Sequence, residues 1–553
     1  GAARGGRDYE DAEVSDHELW NVYLPPFRAA VEAGAGNVMG AYMDLNGVPA
    51  SANRWLLTDV LRGELGFDGF VVSDANAVRS LTTQHLARDL TDAAARALEA
   101  GLDMEMAMTD PAFTRLPAAV AQGSVSEATL DRAVGRVLTA KFRLGLFEQP
   151  YSDATARATL GSAEHREVAR QAAEQSVVLL RNEHDTLPLA ADRLNSVAVV
   201  GELAASRRDT LGPWVFGHEL AETVTVLDGL RARLGEDVRV QHAPGARIPD
   251  RLFPSFFDQM EPPAAGPDDR GGRDASEDDE DTALERAVQL AAEADVAVVV
   301  VGQRQNQIGE AASSATLELP GRQLEQLQRV VATGTPVVLV VMSGRPLDLR
   351  WAAEHVPAVV QVWYPGSCGG EAVARVLLGD VSPAGRLPFS WPRHAGQLPV
   401  AYAHHRTFAP DDQGRRYWDE PSTPLYPFGH GLSYARFRYA DLRLERGTIA
   451  VGERTSASVT VTNTSARDAE EVVQLYVHQR HGTSSRPVRE LKGFQRVHLP
   501  AGQTRTVDFE LGPEQLTYWS AVTRGWVQDA TTVDVWVGGS STADLTTVLE
   551  VTG

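Results

Sequence analysis

The sequence predicts two successive α/β regions followed by an all-β sandwich. Over residues 15–145, and again over 151–394, short apolar runs alternate with amphipathic stretches of helix length, the pattern of parallel strands buried on both faces. From Ser433 onward the hydrophobic period drops to two, and turn residues separate the runs, as in an antiparallel sandwich. A chain of 553 residues is long enough for three or four domains.

In the first region Ser15 has Glu18 three residues on, the signature of a helix N-terminus, and predicts a helix over 16–33. An apolar run over 37–42 follows, then a helix over 53–64 that ends near Gly66 and leads into Gly69-Phe70-Val71-Val72-Ser73-Asp74. A third helix, 90–100, stops at Gly101 ahead of a strand over 102–105. Three strands cannot close a barrel of eight, so a barrel reading requires its first half elsewhere. The chain also opens on Gly1-Ala2-Ala3, without an initiator methionine or a signal pattern, and is expected to enter in mid-domain.

Pro150-Tyr151-Ser152-Asp153 breaks the pattern. A helix over 164–180 then opens the second region, with strands expected at 196–200, 296–301, 336–342 and 358–364 and helices at 285–294 and 321–332. Residues 395–431, rich in Pro, Gly, Tyr and His, read as a connector, and 432–553 as the sandwich, with alternating strands at 456–463, 472–478, 504–511 and 532–537. Pro262–Asp281, which ends in five consecutive acids, reads as a solvated loop. Its apolar front, 252–257, is a candidate cover for a site or contact in a homodimer.

The formal net charge of −22 repels nucleic acid and anionic membranes, whereas a neutral substrate meets no such penalty. No apolar run has the length of a membrane span. Cys368 is the only cysteine, which excludes an intrachain disulfide and a multi-cysteine metal site. Neither His-Glu-x-x-His nor Gly-x-Ser-x-Gly occurs, so neither a zinc peptidase helix nor a serine elbow is expected. No metal or cofactor is expected, and the compartment stays open.

Asp74 closes an apolar strand, where side chains of parallel α/β folds meet ligands; the alternative is a helix N-cap. Met39 and Tyr42 end the preceding strand, as ligand contacts or as core and loop residues. Asp103 and Glu105 follow a strand too and serve equally as local caps or ion pairs. Glu310 lies in a long polar loop after Val298-Val299-Val300-Val301, a usual place for function, or is a solvated loop carboxylate. Gly366-Ser367-Cys368-Gly369-Gly370 reads as a tight strand-to-helix turn better than as an anion cradle, and His404-His405 is weak evidence for a metal.

Several stretches match one known group together. Asn37-Val38-Met39-Gly40-Ala41-Tyr42 with Asn46-Gly47-Val48-Pro49, Gly66-Phe67-Asp68-Gly69-Phe70-Val71-Val72-Ser73-Asp74, Trp363-Tyr364-Pro365-Gly366 and Leu425-Tyr426-Pro427-Phe428-Gly429-His430-Gly431 resemble family 3 glycoside hydrolases, the β-glucosidase group. The resemblance implies a partial TIM-type (β/α) barrel (1–150), an α/β sandwich (151–394), the connector, and a fibronectin type III-like β-sandwich (432–553). It implies a retaining exo-acting β-glycosidase that releases glucose from β-glucosides or β-linked gluco-oligosaccharides. Asp74 would be the nucleophile, Met39 and Tyr42 sugar contacts, and Glu310 the acid/base. A β-xylosidase or related exo-glycosidase is the near alternative, and a non-catalytic carbohydrate-binding remnant the distant one. Two departures stand out: Ala75 follows the nucleophile where the family commonly has Trp or His, and the first barrel strands, which carry further sugar contacts in that family, are missing.

Overall fold

Ser15 acts as its position predicts. Its hydroxyl accepts the Glu18 N–H at 3.2 Å and opens a helical run, Asp16–Glu18, Leu19–Tyr23 and Leu24–Glu32, whose middle segment widens into a π turn. The computed structural model describes residues 2–254, 277–407 and 415–553. The chain divides into two units, Gly1–Leu160 with Tyr518–Gly525, and Gly161–Thr517 with Trp526–Gly553.

In the first unit two strands, β1 (Asn37–Gly40) and β2 (Phe70–Ser73), pair in parallel, with Met39 opposite Val72 and Gly40 opposite Ser73. The strand expected at 102–105 shrinks to one parallel bridge, Val72 to Met104. The residues around it are otherwise engaged: Asp103 turns inward to an ion pair, and Glu105 accepts the Ala112 and Phe113 N–H groups. Helices Leu90–Ala100 and Glu127–Arg143 open on the Asp89 and Ser126 caps and pack over a core of Leu57, Val71, Leu81, Leu98 and Leu102. Trp519 joins this core, stacked on Trp20 with ring centroids 6.3 Å apart. The cover of the sheet is partial: Met39 is 54% exposed, and Met104, Met106 and Met108 are exposed as well.

The second unit is built on a six-stranded sheet. In chain order its strands are β3 (Val178–Asn182), β4 (Ser196–Val200), β5 (Arg239–Ala243), β6 (Val296–Gly302), β7 (Val337–Met342) and β8 (Ala358–Gln361). They lie in the order β3-β8-β7-β6-β4-β5, all parallel except β3, which runs antiparallel to β8. Apolar clusters cover both faces, which is why β4, β6 and β7 read as unbroken apolar runs. The helix expected over 164–180 ends at Ser176, and Val178–Asn182 is strand instead. Of the acidic stretch, 262–276 lies outside the described residues, as do 255–257 of its apolar front. Glu277–Asp281, expected as loop, begins the helix Glu277–Ala292.

The turn before the helix Gly369–Leu377 is a packing device. A Cβ on Gly370 would lie 1.8 Å from the Thr225 carbonyl oxygen, and one on Gly229 would lie 2.0 Å from that of Gly370. The Gly370 N–H donates to Val224 O, so a neighbouring carbonyl occupies the helix start that an anion would need.

The sandwich pairs a three-stranded sheet (437–444, 455–463, 504–511) with a five-stranded one (448–450, 545–552, 531–538, 469–479, 490–499). The expected period of two is seen in the alternating burial of Thr455–Asn463 and Thr531–Gly538, whose inward Val and Ala residues form the core.

Candidate active site

Asp74 follows β2 directly. Its N–H donates to Gly40 O at 3.1 Å, which ties the end of β2 to the end of β1. One carboxylate oxygen accepts the N–H of Ala75 at 2.6 Å. The helix Ala77–Thr83 starts at Asn76 with no side-chain cap, so capping that helix is not the work of the Asp74 carboxylate. Tyr42 reaches the same turn: its hydroxyl donates to Ala75 O at 2.6 Å, and its ring meets Tyr9 edge-on. Met39 is exposed rather than core. The first unit therefore gathers Asp74, Met39 and Tyr42 at the C-terminal ends of two parallel strands. A cleft of about 500 Å³ opens beside Tyr42, lined also by Tyr9, Asp11, Asp44 and Gln84. Burial, and then the charge of Asp11, pushes the Asp44 carboxyl up.

The other acids near β2 have structural employment. Asp103 accepts Arg62 at 2.6 Å, Arg136 at 2.8 Å and the Val71 N–H at 2.9 Å, and its carboxylate is shut off from water. Glu105 caps the turn Ala112–Arg115.

Glu310 belongs to the second unit, and the topology explains its placement. The parallel strands run β5-β4-β6-β7-β8, which is the order 2-1-3-4-5 when they are counted along the chain. In doubly wound sheets of this order, ligands bind at the C-terminal edge where the winding reverses, here between β4 and β6. The loop 303–314 leaves β6 at that edge, and the segment 201–218 leaves β4 beside it. A small cavity of about 130 Å³ lies there between Arg208, Leu211, Gly212, His218 and Gln305.

The loop is held at many points. Gln323 grips Gly302 through both its amide groups, and Tyr364 donates to Gln303 O at 2.9 Å. Asp209 accepts the Gln305 N–H at 2.8 Å and the Ser206 hydroxyl at 2.7 Å, while burial pushes its carboxyl up. Ile308 packs against Gly344, where any Cβ would lie 2.1 Å from its Cδ1. Gly309 has φ +93° and fits beneath Pro213 and Trp214, so the residue before Glu310 is tied to glycine by both conformation and space. Trp214 and Phe216 are exposed near this turn with their rings edge to face. Sequence reasoning missed Trp214 and every anchor of the loop, since they are remote in sequence and of unremarkable type.

Among the described residues no group of His, Cys, Asp and Glu has the arrangement of a metal site. His404 Nδ1 instead faces Ala401 O at 3.2 Å. No described helix is long and apolar enough to cross a membrane.

Residues 1–140 match the glycosyl hydrolase family 3 N-terminal domain, 177–434 the family 3 C-terminal domain, and 471–541 a fibronectin type III-like domain. A periplasmic β-glucosidase of Salmonella typhimurium is 40% identical over 94% of this chain and 68% of its own length. A β-xylosidase of Formosa agariphila is 38% identical over 96% of this chain and 71% of its own. The crystal structure of a β-glucosidase from Listeria innocua in complex with glucose superposes with a TM-score of 0.89 at 36% identity, covering 100% of this chain and 72% of that one. With all three segments matched in order, and with relatives this similar along nearly its whole length, the chain belongs to glycosyl hydrolase family 3.

Proposed function

We propose that this chain supplies both catalytic carboxylates of a retaining exo-acting β-glycosidase that releases terminal glucose from β-glucosides and β-linked gluco-oligosaccharides. The observation that carries the reading is positional: Asp74 and Glu310 each stand where a parallel sheet of its own unit presents residues to a ligand, and the Asp74 carboxylate does not cap the helix that follows it.

The chemistry runs in two displacements. The Asp74 carboxylate attacks C1 of the sugar while Glu310, protonated, gives its proton to the glycosidic oxygen, and the C1–O bond to the aglycone breaks. The product is a glucosyl ester on Asp74. Glu310, now a carboxylate, takes a proton from water as the water oxygen attacks C1. The ester bond breaks, Asp74 returns as carboxylate, and two inversions leave the β configuration unchanged. Such a pair needs its carboxyl groups about 5–5.5 Å apart across the sugar. Tyr42 holds the backbone just after Asp74 in place, and Met39 offers an apolar contact.

The sugar pocket in this reading takes in more than these residues. Parallel sheets are normally covered on both faces, yet β1 and β2 expose Met39 and lie beside the exposed Met104 and Met106. We place further β/α units of the barrel against these strands, as walls of the pocket. The β-xylosidase relative keeps a second substrate in view.

The test is capture of the intermediate. A 2-deoxy-2-fluoro-β-glucoside with a good leaving group should label the enzyme once per chain, and the labelled peptide should contain Asp74. Asp74→Asn should lose both labelling and turnover by several orders of magnitude while keeping its circular dichroism spectrum. Label on another carboxylate would refute the assignment. Faster labelling by the corresponding fluoroxyloside would favour the xylosidase reading.

A further inference from the structure

The loop that carries Glu310 is closed at its neck by two arginines from different parts of the chain. Arg251 donates from Nη1 to Asn306 O at 2.6 Å and from Nη2 to Ala311 O at 2.7 Å, while its Nε holds Phe253 O at 2.8 Å. Arg345 donates from Nη2 to Gln307 O at 3.2 Å and to Ala312 O at 2.6 Å. Each guanidinium thus joins a carbonyl four or three residues ahead of Glu310 to one that follows it by one or two. In Arg251 the fixed fork of the guanidinium supplies this grip from two nitrogens, which a lysine ammonium cannot reproduce with the same geometry.

The backbone explains why a grip is needed. Gly309 has φ +93° and Ala311, a residue with a Cβ, has φ +54°, so left-handed conformations flank Glu310 on both sides. Such a conformation at alanine is unfavourable and persists only where surrounding contacts over-determine it. Arg251 acts directly on this strained residue through its carbonyl oxygen. Its three hydrogen bonds all go to carbonyls, and among the described residues it forms no ion pair. Its two terminal nitrogens both serve the loop, and its Nε ties in Phe253. Further stitching follows the same line: Arg304 pairs with Asp250 and Glu202, and Gln307 donates to Pro249 O. The segment 249–253 is therefore a fixed backing for the loop.

We propose that Arg251 and Arg345 are positioning residues for the acid/base, acting as paired staples that fix the Glu310 carboxyl at the height where it meets the glycosidic oxygen. The inference rests on the reading of Glu310 as the acid/base. It extends that reading by giving the front of the acidic insertion a role in catalysis: Asp250, Arg251 and Phe253 tie the insertion to the catalytic loop.

The test compares leaving groups in the intact enzyme. A methyl β-glucoside needs a proton to depart, whereas 2,4-dinitrophenolate departs without one. Arg251→Ala should lower kcat/KM for the methyl glucoside by about 100-fold, the cost of misplacing a catalytic group by an ångström or so. It should leave kcat/KM for the dinitrophenyl glucoside within a few-fold of wild type, and azide should raise its kcat by substituting for base-assisted water. Exogenous guanidinium should restore part of the methyl glucoside activity. Hydrogen exchange in the peptide 303–314 should quicken in Arg251→Ala and, as a second variant, in Arg345→Ala. Equal losses on the two substrates, or unchanged exchange in that peptide, would overturn the proposal. Glu310→Ala, measured alongside, separates the two claims. If it lacks the leaving-group signature, the acid/base reading fails and the staple inference with it; if it shows the signature and Arg251→Ala does not, only the staple inference fails.

Discussion

Asp74 and Asp103 follow neighbouring segments of the same unit, and their surroundings are opposite in kind. Asp103 is enclosed by two guanidiniums and a backbone N–H, so its oxygens are spoken for and its charge is neutralised in place. Asp74 keeps partial exposure and, among the described residues, its carboxylate accepts only the N–H of the next residue, so its remaining lone pairs are unengaged, as the proposed nucleophile would require. A titrating residue in the second unit gives a test of pH response. His430 is stacked on Tyr426 with its Nε2 2.9 Å from Leu180 O; burial holds its pKa below the ordinary histidine range, the carbonyl opposes that, and Arg386 adds to it. The folded state thus favours neutral imidazole, while the unfolded chain binds a proton near pH 6.5. Below that pH the unfolded state holds more protons, so the contribution of His430 is complete above about pH 6.5 and is lost as pH falls toward the depressed folded value. Urea midpoints measured from pH 8 to pH 5 should fall in the wild type and fall less steeply in His430→Gln, with His242, also depressed by burial, supplying a residual slope. Equal slopes would remove His430 from the acid response.

At the scale of elements, the helices Val226–Leu234 and Gly369–Leu377 approach so closely that backbone meets backbone at Gly229 and Gly370. A methyl group at Gly229 would have to displace the Gly370 carbonyl, which begins the second helix. Gly229→Ala should therefore cost about 1–3 kcal/mol, the usual range for overpacking, as read by chemical denaturation; a neutral result would show that the pair can slide. These contacts also show what could be read in advance. Val296–Gly302 and Val337–Met342 were legible because both their faces are covered, so every residue is apolar. Arg239–Ala243 was not, since an edge strand with Arg, Gln and His along it carries no apolar run. Val178–Asn182 was misread because its valine and leucines continue the apolar face of the preceding helix, and only pairing with β8 makes it a strand. Asp74 could be picked out from strand position and a specific signature. The loop of Glu310 could be picked out as polar and long, but its braces, Arg251, Asp209, Gly344 and Arg345, lie 34 to 101 residues away from Glu310 along the chain, and no local pattern points to them.

For the whole molecule, the second unit spans two cores, those of the six-stranded sheet and of the sandwich, yet buried polar contacts bind them. Arg386, from the α/β part, pairs with Glu471 of the sandwich at 2.9 Å with both side chains buried, and Tyr439 donates to the same carboxylate at 3.0 Å. Gln474 reaches back to Gly429 O at 3.2 Å. Separating the two cores would strand a charge in apolar surroundings, a cost that makes them unfold together. The first unit has its own core around Val71, Leu81 and Leu98 and its own ion triad, Arg62–Asp103–Arg136, with the Asp103 carboxylate buried. Scanning calorimetry should accordingly resolve two transitions, one for each unit. Asp103→Asn leaves two guanidiniums underpaired and, at about 3–5 kcal/mol, should lower one transition by about 10 °C while leaving the other in place. Gly229→Ala should do the reverse, moving only the transition that Asp103→Asn spares. If either substitution moved both transitions together, the two units would be one cooperative body, and stability changes in either would be felt at both carboxylates.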